Sequence, residues 1–255
     1  MKILGLEASG IVASVALVCD DKLLGEYTIN HKRTHSKTLM PMLEELLNRL
    51  EIDIGEIDAI ATSSGPGSYT GLRISSSTAK GLAMALDKPI VSVPTMEGMA
   101  YNLFGAGSYI CPIVDARRSQ VYTGIYYCEA DKMRSKMPQA VMTIDDLLQS
   151  ILEMLDQAKP HESNEMLYRD ITFLGDAVKL HRDLIIERLG DKAHFAPLHK
   201  NMPSAASIAT LGAIYVREGK TETATEHRPI YLMLSEAEKE RLDAGEDILE
   251  PSTVI

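Results

Sequence analysis

Ile57 to Leu86 reads IDAIATSSGPGSYTGLRISSSTAKGLAMAL, and the rest of the chain is organised around it. The apolar residues Ile57, Ala59, Ile60 and Ala61 predict a short buried strand. Ser63-Ser64-Gly65-Pro66-Gly67-Ser68 then packs turn chemistry into a few positions. Thr70 is the expected N-cap of a helix. From Gly71 the apolar positions Leu72, Ala79, Leu82, Ala83 and Leu86 fall at helical spacing. Strand, tight glycine-rich turn and helix together describe a backbone built to lie close to something.

Three ligand-binding readings of the turn fail on spacing. Gly65-x-Gly67-x-x-x-Gly71 is one residue too long for a dinucleotide fingerprint, and Pro66 removes an amide that could meet a phosphate. A P-loop needs Lys before Ser or Thr at the helix start, where Leu72-Arg73 stands. The hydrolase elbow G-x-S-x-G is absent, because Ser68 directly follows Gly67. What remains is a turn whose glycines permit positive φ and close packing. On the helix, Gly71, Ser75, Ala79 and Ala83 are small and four apart, a shallow ridge that admits either the chain's own sheet or a partner helix.

Composition bounds the rest. The chain has 255 residues, 45% hydrophobic and 24% charged, which gives a globular protein with room for two modest domains. A net charge of -10 and only 5% aromatic residues, with no Trp, argue against an independent nucleic-acid binder. Cys19, Cys111 and Cys128 are widely spaced and form no CxxC, as expected of free thiols in a reducing compartment. No apolar run has the length of a signal peptide or a membrane span, so cytoplasm is the expected location.

Along the chain, Lys2 to Glu7, Ala13 to Cys19 and Leu23 to Asn30 predict a three-stranded meander. Leu39, Met42, Leu43, Leu46, Leu47 and Leu50 predict a first helix, with Pro41 in its first turn or kinking it. The opening strand and helix come next, then a strand over Pro89 to Pro94 and a helix over Thr95 to Phe104. The polar loop Gly105 to Ser108 marks a boundary. Beyond it, strands are expected at Ile110 to Asp115, Val121 to Tyr127, Ala140 to Thr143 (a short edge) and Ile171 to Leu174. Helices are expected at Asp145 to Leu155, Val178 to Leu189 and Ser204 to Arg217, with Ser204 as cap. The charged segment Lys159 to Arg169 is the least structured, and 235–255 is an acidic tail.

The order βββαβαβ is that of the ribonuclease H-like half-domain of the actin, sugar-kinase and Hsp70 ATPases. The second half replays it loosely. The expected fold is therefore α/β, a duplicated ribonuclease H-like fold with mixed five-stranded sheets and a degenerate second half. Its domains are 1–104 with a returning helix at about 204–218, and 105–203.

Ser64-Gly65-Pro66-Gly67-Ser68-Tyr69-Thr70-Gly71-Leu72-Arg73-Ile74 closely resembles the signature S-G-P-G-S-[FY]-T-G-L-R-[IV] of the TsaB (YeaZ) family. ILGLEAS at the start, Val114 to Arg118 with Val121-Tyr122, Gly175-Asp176-Ala177 and Pro229-Ile230-Tyr231-Leu232 agree in order, so the resemblance reaches about residue 234. It implies the dimerisation subunit of the bacterial complex that installs threonylcarbamoyl on N6 of adenosine 37 in tRNAs reading ANN codons. The catalytic paralogue TsaD and the ATPase TsaE would be the partners, with ATP or ADP and metal on those subunits. The chain would self-pair when alone, meet tRNA only through the complex, and have no membrane association.

The catalytic paralogue binds metal through an H-x-E-x-H-type motif. The equivalent run here is Thr95-Met96-Glu97-Gly98-Met99, which has no imidazole. The resemblance therefore implies a non-catalytic subunit with no intrinsic cofactor or metal. The expected partner surface is Leu39, Met42, Leu43, Leu46, Leu47, Gly71, Leu72, Arg73, Ser75, Ser76, Ala79 and Ala83. Nucleotide-hydrolysing relatives carry an Asp at the end of the first strand; Glu7-Ala8-Ser9 stands there, so Glu7 and Ser9 are the candidate cofactor contacts. The alternative is a nucleotide-binding kinase or ATPase of the same fold, acting on a small molecule through Glu7 and the turn at Gly175. His31 and His35 read as an exposed pair, Asp115 with Arg117 and Arg118 as a loop ion pair. His194/His199 and Asp145/Asp146 carry no pattern.

Overall fold

The structure is a computed structural model and describes residues 1–31, 35–157 and 169–233. The expected acidic tail lies outside the described residues, as does most of the charged segment Lys159 to Arg169.

The first sheet contains β1 (Lys2–Glu7), β2 (Ala13–Cys19), β3 (Lys22–Ile29), β4 (Ala59–Gly65) and β5 (Ile90–Pro94), in the order β3-β2-β1-β4-β5. β1, β2 and β3 pair antiparallel, while β1, β4 and β5 pair parallel. Alternation along β1 sorts its side chains between two layers. Leu4 and Leu6 join Leu39, Met42, Leu43, Leu46 and Leu47 of α1 (Leu39–Leu50) and Ala79 and Ala83 of α2 (Tyr69–Leu86). Ile3 instead joins Ile208, Ala209 and Leu211 of α6 (Ala205–Arg217), the helix that returns to this sheet from the second half. Gly5 allows that return: a Cβ there would lie 2.9 Å from Ala209 Cβ. Ser204 caps α6, accepting from the Ser207 amide at 3.4 Å. Pro41 sits in the first turn of α1.

The second sheet repeats the plan. β6 (Tyr109–Arg117), β7 (Gln120–Glu129), β8 (Lys132–Thr143), β9 (Ile171–Leu174) and β10 (Ala193–Phe195) run in the order β10-β9-β6-β7-β8. Its meander is antiparallel and its β6-β9-β10 half parallel. α4 (Ile144–Gln157) and α5 (Val178–Leu189) supply Leu147, Leu148, Ile151 and Ile185 to its core. The duplication extends to backbone angles: Gly65 at the end of β4 has φ +111, and Gly175 just after β9 has φ +113.

Three sequence expectations are corrected. Ser68, not Thr70, caps α2, accepting from the Gly71 amide at 3.3 Å, because the helix starts two residues earlier than the apolar spacing marks. The edge strand placed at Ala140 to Thr143 is the end of the 12-residue β8, whose charged outer positions suit a sheet edge and break the apolar pattern. The helix placed over Thr95 to Phe104 is α3 (Thr95–Ala100), followed by one 3₁₀ turn over Tyr101–Leu103.

After α6 the chain turns at Gly219 and runs back over the first sheet. Glu222 pairs with Ile90 on the free edge of β5, with both backbone bonds at 2.9 Å. His227 is fully buried there, its Nδ1 2.8 Å from Glu222 Oε1 and 2.9 Å from Ser92 Oγ. Beyond it, the Ile230 amide donates to Ser64 O at 2.6 Å, so this strap reaches the turn after β4.

Candidate functional site

The glycine-rich turn, the β1–β2 turn, the β6–β7 hairpin and the strap meet at one cleft between the two sheets. Its lining includes Ser9, Ile11, Ser68, Tyr69, Asp115, Arg117, Arg118, Asp176 and Tyr231, around about 630 Å³ of open space.

The signature glycines bring backbone onto backbone. A Cβ at Gly71 would fall within 3.0 Å of Ala8 O, at Gly67 within 3.0 Å of Ser9 O, and at Gly65 within 3.0 Å of Ile230 O. The Ser68 amide, at the start of α2, donates to Ser9 O at 2.6 Å. Of the amides near the turn, that of Ser68 is thus committed to the β1–β2 turn, that of Gly65 to Thr95 Oγ1 and that of Gly71 to the Ser68 hydroxyl. The close-packing reading of the turn is the one the geometry follows.

Glu7 faces inward. It is 1% exposed, is not among the residues lining the cleft, and its Oε1 accepts from the Ser9 amide at 2.6 Å and the Ser9 hydroxyl at 2.5 Å. Its Oε2 is buried without a partner, and burial holds its pKa above the usual carboxylate range despite the two bonds from Ser9. Glu7 therefore braces the β1–β2 turn, and of the two candidate cofactor contacts only Ser9 reaches the cleft. His35 Nε2 lies 2.8 Å from Gly10 O and ties the entry to α1 to the same turn.

At the foot of the cleft, Thr95 and Met99 line a cavity of only about 10 Å³ with Ser9 and Asp176. These are the two positions that the family resemblance sets, by order along the chain, against the histidines of the catalytic paralogue. Thr95 Oγ1 is engaged by the Gly65 amide at 3.1 Å. Glu97 turns to the opposite side, where its Oε2 accepts from the Tyr215 hydroxyl at 2.8 Å and burial raises its pKa. Among the described residues, no group of three His, Cys, Asp or Glu side chains is arranged to hold a metal.

The hairpin opposite is held in a costly conformation. Arg117, Arg118 and Ser119 have φ of 66°, 52° and 59°, a region that costs a non-glycine residue about 1–2 kcal/mol. Asp115 Oδ1 accepts from the Arg117 amide at 2.7 Å, and Asp176 Oδ1 accepts from the Asp115 amide at 3.0 Å. Asp115 and Asp176 thus brace the hairpin through its backbone amides. Burial raises the pKa of Asp176. Across the cleft the Tyr69 and Tyr231 rings lie 5.1 Å apart, with the Arg73 guanidinium 4.5 Å from the Tyr69 ring centre.

The partner surface expected from the sequence is largely interior. Leu39, Met42, Leu43, Leu46 and Leu47 are buried beneath α1 by the chain's own sheet, as are Gly71, Leu72, Ser75, Ser76, Ala79 and Ala83 beneath α2. The small-residue ridge lets α2 settle onto that sheet. Of that set only Arg73 is exposed, and with Ser77, Gly81 and Met84 it forms the outer line of α2, beside Met40, Glu44 and Asn48 on α1. Sequence periodicity identified the apolar faces, and their complements are the surface.

Residues 22–241 match the family model described as TsaD, tRNA N6-adenosine threonylcarbamoyltransferase. The tRNA threonylcarbamoyladenosine biosynthesis protein TsaB of Bacillus subtilis (strain 168) is 33% identical over 246 residues, covering 96% of this chain and 99% of that protein. This chain belongs to the TsaB (YeaZ) family. The TsaB protein of Escherichia coli (strain K12) is 24% identical over 91% of this chain and 94% of its own length. YeaZ from Pseudomonas aeruginosa superposes with a TM-score of 0.71 at 26% identity, covering 91% of this chain and 99% of that one. The family's fold is thus the duplicated one described above, and the SGPGSYTGLR signature is its packing joint between β1, β4 and α2.

Proposed function

We propose that this chain takes part in threonylcarbamoyladenosine biosynthesis on tRNA as a non-catalytic scaffold, pairing with the catalytic paralogue TsaD and joined by TsaE. In this reading TsaD transfers threonylcarbamoyl to N6 of adenosine 37 in tRNAs reading ANN codons, and nucleotide and metal sit on the partner subunits in the cytoplasm. One observation supports the assignment of a supporting role: Thr95 and Met99, the residues the resemblance sets against the paralogue's histidines, line a cavity of about 10 Å³, while Glu97 accepts from Tyr215. The inward-facing Glu7 supports the same reading against a kinase or ATPase.

The pairing face is the outer side of α1 and α2, where Met40 is 44% and Met84 is 71% exposed, both adaptable apolar side chains. Two such helices meeting the same two of a paralogue, or of a second copy, make a four-helix bundle. The test is light scattering on a sizing column, with this chain alone and mixed with TsaD, followed by modification of tRNA. A one-to-one complex that restores modification supports the reading. Ser77→Glu or Met84→Glu, both at exposed positions, should weaken that complex about tenfold or more with folding intact. Unchanged elution of the mixture would refute the pairing.

A further inference from the structure

The strap over residues 219–233 borders a different surface at each of its ends. At its start, Thr221, Thr223 and Glu226 line a groove of about 390 Å³ together with Ala83 and Met84 of α2. Met84 is also part of the outer line of α2, so the groove continues the pairing face proposed above. At its end, Ile230, Tyr231, Leu232 and Met233 form part of the wall of the cleft.

Between these ends the strap is held at few points. Glu222 exchanges two backbone bonds with Ile90, an isolated bridge on the edge of β5. The Ile230 amide donates to Ser64 O, and the Tyr231 ring lies against Tyr69. His227 is fully buried; its Nδ1 meets Glu222 and Ser92, while its Nε2 has no partner among the described residues. A buried nitrogen left unpaired is a standing cost to the seated strap, relieved when the strap lifts into water. A segment with few bonds and an internal cost of this kind opens while the sheet beneath it stays folded.

We propose that the strap couples the two surfaces: a partner docked on the outer face of α2 and in the groove beside it holds the strap down, and so fixes the wall of the cleft. The partner is TsaD, a choice that rests on the function proposed above. The groove exists only while Thr221, Thr223 and Glu226 lie beside α2, so a partner that fills it binds the seated strap and not the lifted one. Such coupling is reciprocal. A change that lifts the strap at the cleft therefore weakens pairing at the other end.

The experiment is hydrogen exchange at the Ile230 amide, in the chain alone and titrated with TsaD. At a TsaD concentration about ten times Kd, exchange there should slow about tenfold, the factor by which binding to one state depopulates the other. The Ala196 amide, bonded to Phe173 O in the second sheet, should not change. Ile230→Pro deletes the donor to Ser64 O without touching α2, and should weaken pairing about fivefold or more. Ile11→Ala, in the cleft wall but not on the strap, should leave pairing unchanged. In the chain alone, Glu222→Ala should speed exchange at Ile230 about fivefold or more. Glu222→Gln keeps an acceptor for His227 and Ser92 and should restore protection. Melting curves establish that each variant is folded.

Pairing that leaves Ile230 exchange unchanged, equal slowing at Ala196, or undiminished pairing of Ile230→Pro would overturn the coupling while the scaffold reading stands. Absence of pairing would sink the scaffold reading, and TsaD as the occupant with it. The Glu222 variants then decide the strap by themselves, since unchanged exchange at Ile230 would show that it does not lift as one unit.

Discussion

Two glycines on α2 should respond to the same substitution with opposite signs. At Gly71 a Cβ would fall within 3.0 Å of Ala8 O and 3.1 Å from Ala8 C, with Ser68 Cβ at 3.4 Å. The obstacle is backbone and cannot rotate away, and it is fixed in turn by the bonds to Ser9. Overpacking of this kind costs about 1–3 kcal/mol, here at the upper end, and alanine's helix propensity returns at most about 1 kcal/mol. Gly71→Ala should therefore destabilise by about 2 kcal/mol. At Gly81, nothing lies within 4 Å of the added carbon, so only the propensity gain of about 0.5–1 kcal/mol remains. For a chain of this size each kcal/mol moves the melting temperature by about 2–4 °C, so the two variants should separate by about 5–12 °C. Calorimetry or thermal fluorimetry at one low protein concentration, where pairing does not contribute, is the assay. Shifts in the same direction, or a separation below about 2 °C, would refute the argument that the signature glycines exist for close packing.

Glu7→Gln should remove a pH dependence. Because burial raises the folded pKa of Glu7, the folded state keeps its proton where the unfolded chain has lost it. That contribution to stability is full below the unfolded value, near 4.5, and falls as pH rises toward the folded one. Denaturant melts from acid to neutral pH should show this decline in the parent chain and a flatter profile in Glu7→Gln; parallel profiles would contradict it. Gly65→Ala puts a Cβ at φ +111 within 3.0 Å of Ile230 O and should lift the strap. Hydrogen exchange at the Ile230 amide would then speed up about tenfold or more, and unchanged protection would show that the strap is held by His227 and Glu222 alone.

What the sequence revealed and what it concealed divide on a physical line. Local chemistry was legible. The turn at Ser63–Ser68, the duplication of βββαβαβ, the Ser204 cap and the bounds of α5 all rest on residues within a few positions of one another. The direction of a helix face was not legible. The stripe Leu39, Met42, Leu43, Leu46, Leu47 has the same period whether it meets a sheet or a partner, and only the tertiary fold places it on Leu4, Leu6, Val15 and Leu17. Of β8 only the last four residues were legible, because an edge strand carries charge by necessity, and β10 was missed because three residues hold no period. The burial of His227 was invisible for another reason: one of its partners, Ser92, is 135 positions away, and only the fold brings them together. The same holds for the cleft, where Tyr69, Arg117 and Tyr231 come from segments with no shared motif. The signature was thus most informative about packing, because glycine reports how close backbone must come. Surface function depends on which side chains face outward, which a pattern along the chain does not state, and there the outer faces of α1 and α2 supply what periodicity cannot.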